Sequence, residues 1–229
     1  MTPSASSTWS LDLAFSIDSG PRGANCRLIL AHGAGAGATS PFLESMAEIL
    51  GTRGLAVTRF EFGYMSDRRT GQAKRPPPKA ERLTSEYREI VQEVAWRQPR
   101  PDRLLIGGKS LGGRVASLIA DELYSEGQIS GLICLGYPFH PPGQPDQLRT
   151  EHLKELLCPA LIVQGERDPF GNRAEIDALT LSERLAFAWI SDGDHDFWPR
   201  GRSGFTRTGN LAAATDAVAA FAAKLPSAR

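Results

Sequence analysis

The sequence predicts an α/β fold in which a mostly parallel sheet is covered by helices on both faces. Two observations predict it. Short apolar runs alternate along the chain with longer segments of helical period, the βα pattern of a parallel sheet. Several runs, such as Leu104-Leu105-Ile106 and Leu161-Ile162-Val163, are apolar without a break, as strands buried on both faces are. The 229 residues are expected to form a single domain with residues 1–8 as a disordered tail. Such a domain buries roughly 70% of its unfolded surface and needs no covalent or metal staple.

Taken in order, residues 9–15 alternate enough to be an edge strand ahead of the parallel core. Parallel strands are expected at 27–31, 56–60, 103–106, 131–135, 160–163 and 185–190. Helices are expected at 41–52, 79–96, 113–125, 174–179 and 210–224, the first with Ser40 as N-cap and Pro41 at its first position. Two connections are long. Residues 63–78 carry Arg68, Arg69, Lys74 and Arg75 and end in three prolines, which reads as a mobile, solvated basic loop, with a grip on an acidic substrate as the alternative. It leaves a strand end on the side where α/β sheets place ligands. Residues 137–145, rich in proline and aromatic side chains, are too short for a lid, so a shallow site with little or no cap is expected.

Composition narrows the function. Lys and Arg total 26 and so do Asp and Glu, leaving no overall field to hold nucleic acid or an anionic membrane. Residues 1–9 lack a basic segment followed by an apolar one, and nowhere do eighteen apolar residues run together. A soluble cytoplasmic protein is therefore expected, with a small-molecule substrate and no nucleic-acid or membrane partner. Cys26, Cys134 and Cys158 sit beside or within apolar runs, where a thiol behaves as a small hydrophobe. An odd count without C-x-x-C argues against a disulfide framework and a zinc site.

The chemistry concentrates at Gly108-Lys109-Ser110-Leu111-Gly112. Strand, G-x-S-x-G, then helix is a nucleophile elbow: glycines on both sides clear the turn, and the serine is pushed out of the sheet toward a substrate. Serine is a weak nucleophile at neutral pH, so it needs a base and an acid that orients the base. Of His32, His140, His152 and His195, only His195 lies in the loop between the last expected strand and the last helix, in the polar turn Asp192-Gly193-Asp194-His195-Asp196. Asp168, past the run ending at Val163, stands in the chain order serine, acid, histidine; Glu166 is the competing carboxylate.

Two backbone N–H groups must face the developing oxyanion. Leu111, first after the serine, supplies one. The glycine-rich stretch Gly33-Ala34-Gly35-Ala36-Gly37 after the first parallel strand supplies the other, from Ala34 in preference to Gly35, with His32 propping the loop. Gly33, Gly35, Lys109 and Tyr137 are expected to border the substrate. For Lys109, packing at the turn is preferred over attraction of an anionic substrate.

At His32-Gly33-Ala34-Gly35-Ala36-Gly37, Gly108-Lys109-Ser110-Leu111-Gly112-Gly113-Arg114, Gly165-Glu166-Arg167-Asp168 and Asp194-His195-Asp196-Phe197 the chain resembles the α/β-hydrolase superfamily. Within it, the chain is similar to small dienelactone-hydrolase-like enzymes and to Tex-type α/β-hydrolase-like domains. The resemblance runs from about Arg27 to Phe221 and implies a Ser110, His195, Asp168 triad without naming a substrate. Dienelactone hydrolases usually carry cysteine where this chain has Ser110.

Rival motifs fare worse. A phosphate loop ending in Gly108-Lys109-Ser110 would need glycine at 103, where Arg103 stands. Gly33, Gly35 and Ala38 with Glu61 match a dinucleotide fingerprint, but the helix is expected only from Pro41, whereas the fingerprint glycines open their helix directly. A calcium loop from Asp192 would need glycine and glutamate where Phe197 and Ser203 stand. The sequence thus points to a cofactor-free serine hydrolase acting on an ester or related acyl bond. A catalytically silent binding or scaffold protein on the same fold is the alternative from another class.

Overall fold

The computed structural model describes residues 15–71, 75–97 and 101–227. Among them seven strands, β1 (Ser16–Ser19), β2 (Cys26–Ala31), β3 (Ala56–Phe60), β4 (Arg103–Lys109), β5 (Gly131–Leu135), β6 (Ala160–Gly165) and β7 (Leu185–Ile190), form one sheet ordered β1-β3-β2-β4-β5-β6-β7. Only β1 is antiparallel to its neighbour, and every other pairing is parallel. The helices are α1 (Pro41–Thr52), α2 (Gly63–Arg69), α3 (Thr84–Arg97), α4 (Leu111–Ser125), α5 (Arg173–Asp177) and α6 (Arg207–Lys224).

The unbroken apolar runs have a simple cause. In β2, Leu28 and Leu30 pack with Leu43, Met46 and Leu50 of α1 and Leu211 and Val218 of α6, while Ile29 and Ala31 pack with Tyr87 and Ile90 of α3 and Val115 and Ile119 of α4. β4, β5 and β6 alternate in the same way, Leu105, Ile133 and Val163 toward α1 and α6, Ile106, Leu132 and Ile162 toward α3 and α4. Each face of a central strand is thus core, and each fully buried aliphatic side chain contributes about 1.5–3 kcal/mol.

One polar contact crosses this core toward the site. Tyr87 of α3 is fully buried, and its hydroxyl shares its one proton between the Ile29 and Gly107 carbonyls (2.8 and 2.6 Å) and accepts the Gly107 N–H (2.9 Å). It thereby joins β2 to β4 just before the glycine-serine turn.

Several expected elements differ. The edge strand is Ser16–Ser19, after Phe15, whose carbonyl accepts the Glu61 N–H; residues 9–14 lie outside the described residues. The expected helix at 79–96 is split into a 3₁₀ turn, Ala80–Arg82, and α3. Ser40 stands at the N-cap of α1, but its side chain makes no capping bond. The basic segment 63–78 is not simply a loop, for Gly63–Arg69 is helical, with Arg68 and Arg69 in the last turn, where cations favour the dipole. Its first amide, Gly63 N–H, is taken by Glu86 of α3 (2.7 Å), a long-range anchor no local pattern announces. Lys74 lies outside the described residues. In the stretch 137–145, Tyr137, Phe139 and His140 are buried. Among the described residues no helix is long and apolar enough to cross a membrane.

Candidate active site

The parallel strands end on one edge, and the residues singled out by sequence gather there. β4 runs straight into Ser110, which adopts φ 50° and ψ −113° before α4 begins at Leu111. A side chain in this left-handed region costs about 1–3 kcal/mol, a strain that persists only where its surroundings enforce it. Here the Ser110 N–H is held by the Leu135 carbonyl at the end of β5 (3.0 Å). The flanking glycines are obligatory: a Cβ on Gly108 would lie 2.4 Å from the Gly112 carbonyl carbon, and one on Gly112 would lie 2.6 Å from the His32 carbonyl oxygen. The turn therefore closes because two backbones meet where only hydrogen atoms fit.

Asp168 and His195 come from separate loops, after β6 and β7. Asp168 is fully buried, and its Oδ2 accepts from His195 Nδ1 at 2.8 Å. Its other contacts are the Phe170 N–H on Oδ1 (2.9 Å) and Gln164 Nε2 on Oδ2 (3.0 Å). With Nδ1 donating to the carboxylate, the neutral imidazole carries its proton there and leaves Nε2 as the acceptor. The Phe170 ring lies 4.3 Å, centroid to centroid, from the imidazole, limiting its rotation. The two loops can approach because β6 ends in glycine: a Cβ on Gly165 would lie 2.3 Å from the Asp194 carbonyl oxygen and 2.4 Å from that of Gly193.

Ser110 is placed near this pair through Gly136. That residue follows Leu135, which holds the Ser110 amide, and a Cβ on it would lie 3.3 Å from His195 Cε1. Among the described residues no hydrogen bond joins Ser110 Oγ to His195; in unliganded sites this contact is often loose and tightens with substrate. Glu166, the competing acid, accepts the Asp192 N–H (3.0 Å) and lies 3.5 Å from Arg173, and does not touch His195.

The Gly33–Gly37 stretch is pinned by its carbonyls. His32 is fully buried; its Nε2 accepts the Phe62 N–H (3.1 Å), so Nδ1 carries the proton and donates to the Gly33 carbonyl (2.6 Å). Burial keeps this imidazole neutral by lowering its pKa, in accord with a propping role. Tyr64 shares its hydroxyl proton between the Gly33 and Ala34 carbonyls (3.3 and 3.4 Å), Arg68 donates to that of Ala34 (3.4 Å), and buried Glu61 accepts the Ala38 N–H (3.2 Å). With the carbonyls turned to these donors, among the described residues no protein acceptor takes the Ala34 N–H. The Leu111 N–H, first of α4, likewise has no partner within the helix. A Cβ on Gly33 would lie 3.7 Å from that of Ser110, so this loop borders the serine. Gly35 lines a cavity of about 510 Å³ together with Thr39, Glu61, Arg68 and Arg69. A second cavity, of about 540 Å³ beside α4, is lined by Arg114, Arg149 and His152 and excludes Ser110, Asp168 and His195.

Two expectations need correction. Tyr137 does not face a substrate: it is fully buried, and its hydroxyl donates to the Arg149 carbonyl (2.8 Å). Its backbone instead exchanges hydrogen bonds with Gln164, its N–H donating to Oε1 (2.8 Å) and its carbonyl accepting from Nε2 (3.2 Å), making it a strut for the loop that carries Asp168. Lys109 is also buried, its ammonium 3.3 Å from Asp196, so it packs at the turn instead of lining an open site. Gln164, which orients Asp168 from inside β6, and Tyr64, which holds the glycine loop, escaped the sequence reading. The one available signal was a lone glutamine closing the apolar run Leu161-Ile162-Val163. The remaining histidines are committed elsewhere, His140 to the Pro141 carbonyl (2.8 Å) and His152 to Ser117 (2.9 Å). Cys26, Cys134 and Cys158 are all free thiols, and burial raises the pKa of each, that of Cys26 to about 11.

Solved structures share this architecture. The chain is similar to a dienelactone hydrolase from Anabaena variabilis (22% identity, TM-score 0.67, covering 92% of this chain and 91% of that one). It is similar also to an alpha-beta serine hydrolase homologue from Coxiella burnetii (17%, 0.66, 90% and 89%). Est1E from Butyrivibrio proteoclasticus is a third such structure (15%, 0.66, 91% and 94%). At these identities the likeness establishes the fold. A family model described as an alpha/beta hydrolase domain matches residues 24–223, nearly the whole length, and the chain belongs to that family.

Proposed function

We propose that this chain is a serine hydrolase that cleaves an ester or related acyl bond of a small substrate through an acyl-enzyme on Ser110. The family, with hydrolases and esterases among its structural neighbours, supports hydrolase activity. The observation that carries the finer reading is the 2.8 Å contact from His195 Nδ1 to buried Asp168, which leaves Nε2 free at the strand edge where Ser110 is held at φ 50°.

Ser110 Oγ attacks the substrate carbonyl carbon as His195 Nε2 takes the hydroxyl proton, and Asp168 stabilises the imidazolium without being protonated. The N–H groups of Leu111 and Ala34 hold the oxyanion, each lost donor costing about 10²–10³ in turnover. Collapse expels the leaving group, which takes the proton from Nε2. Water then attacks the acyl carbon as Nε2 takes its proton, and collapse breaks the bond to Ser110 Oγ, which takes that proton back from Nε2 as the acid leaves.

The test is labelling with a fluorophosphonate probe together with turnover of short p-nitrophenyl esters. Wild type labels and Ser110→Ala, folded by circular dichroism, does not. Folded wild type that neither labels nor turns over any ester overturns the proposal in favour of a silent binding module.

A further inference from the structure

We propose that Lys109 is a positioning residue for His195: its buried ammonium holds the base loop through Asp196 and offsets the carboxylates gathered around the imidazole. The proposal rests on the reading of His195 as the base.

The position follows from strand alternation. On β4, Gly108 faces α4, where a Cβ would lie 2.4 Å from the Gly112 carbonyl carbon, and Lys109 points to the opposite face, toward α1 and the loop after β7. There its ammonium lies 3.3 Å from Asp196 Oδ1, an ion pair without hydrogen-bond alignment, and 5.4 Å from the centre of the Phe42 ring of α1. Phe42 in turn packs edge-on against buried Phe197, two residues after His195 (5.4 Å). Gly136 marks how close the base is, because a Cβ there would lie 3.1 Å from Lys109 Nζ and 3.3 Å from His195 Cε1. Lys109 therefore shares one small space with the imidazole.

The surrounding charges explain why a cation is kept there. Asp168 is bound to His195, Asp192 is taken by Arg200 and Arg167, and Asp194 accepts the Asp196 and Trp198 N–H groups (both 2.9 Å). Asp196 has Lys109 as its cationic partner. Burial lowers the pKa of Lys109, and the carboxylates of Asp196, Asp168 and Asp194 oppose that shift. An apolar residue of the same length would fill the space at lower desolvation cost, but it would leave the anions around His195 unopposed. Phe42, Gly136, Asp168 and the turn containing Asp194 and Asp196 are the groups that face Lys109 from α1, the end of β5 and the loops after β6 and β7.

The test is NMR titration of the His195 Cε1–H, assigned by its loss in His195→Gln, in wild type, Lys109→Met, Lys109→Arg and Asp196→Asn. Removing the cation makes protonation easier, so Lys109→Met moves the midpoint up by about one unit, and Lys109→Arg restores it. Removing the half-exposed anion moves it down by about half a unit in Asp196→Asn. Opposed shifts support the proposal, and any other pattern overturns it in favour of packing alone. If Lys109→Met does not fold, Lys109→Gln carries the same test, an upward shift supporting the proposal and its absence overturning it. The titration needs no turnover, so it stands apart from the labelling test: wild type that fails to label overturns the hydrolase reading whatever the midpoints do.

Discussion

Replacing Asp168 by Asn tests the acid through its three hydrogen bonds. Oδ2 accepts from His195 and from Gln164, and Oδ1 accepts from the Phe170 N–H. Gln164 cannot turn over to help, because its Oε1 already accepts the Tyr137 N–H while its two Nε2 hydrogens are shared among Asp168 Oδ2 and the carbonyls of Tyr137 and Gly171. An asparagine with its NH₂ at the Oδ2 site meets the Gln164 donor and forces His195 into the tautomer that carries its proton on Nε2, where it cannot accept from serine. The opposite orientation sets NH₂ against the Phe170 N–H and still lacks the charge that stabilises imidazolium. Either way one buried donor is stranded, costing about 1–3 kcal/mol of stability, or roughly 2–12 °C in melting temperature. The same change in the best-studied triad lowers turnover by about 10⁴, equivalent to about 5.4 kcal/mol of transition-state stabilisation. The assay is kcat on p-nitrophenyl butyrate beside a thermal melt. Glu166→Gln, at a side chain 35% exposed and remote from His195, is expected to change kcat by less than about tenfold. A folded Asp168→Asn that keeps its activity, or a Glu166→Gln that loses it, refutes the acid assignment.

Gly165→Ala drives a Cβ into the Asp194 and Gly193 carbonyls, so the acid and base loops must part; kcat is expected to fall about 10²-fold, the usual cost of misplacing a catalytic group by about 1 Å, with KM less affected. Tyr87→Phe strands the Ile29 and Gly107 groups in the core and is expected to cost about 1–3 kcal/mol in urea denaturation. Asp192 is held at about 2, below its ordinary 3.8, first by its hydrogen bond from the Arg200 side chain. A depressed carboxylate stabilises the fold above its unfolded pKa and ceases to do so as pH falls through the folded one. The stability gap between wild type and Asp192→Asn is therefore expected to be full above about pH 4 and to close toward pH 2, read from acid-unfolding curves at matched salt.

The local signals were legible where they were redundant. The strand at 131–135 and the helix at 41–52 lie where apolar pattern, Pro41 and flanking turns place them, because burial of β5 on both faces prints an unbroken run into the sequence; the strands at 56–60 and 185–190 keep their expected bounds although β3 carries Thr58 and Arg59 and edge strand β7 is only partly buried. The helix at Gly63–Arg69 was hidden because its anchor, Glu86, lies 23 residues downstream and the segment has little apolar period of its own. Tyr137 misled for a related reason: beside prolines at a strand end it reads as rim, and only the buried partners Gln164 and Arg149 show it to be a strut.

By itself the sequence determined the α/β layering, the glycine-serine turn and which acid and histidine stand in the right chain order, because these follow from periodicity, steric clearance and connectivity. Tertiary structure alone decided that Asp168 meets His195 at 2.8 Å, that Gln164 and Phe170 hold the pair, and that the Lys109 ammonium lies 3.3 Å from Asp196. Those contacts join loops after different strands, and their geometry exists only once the sheet has set the strand ends side by side.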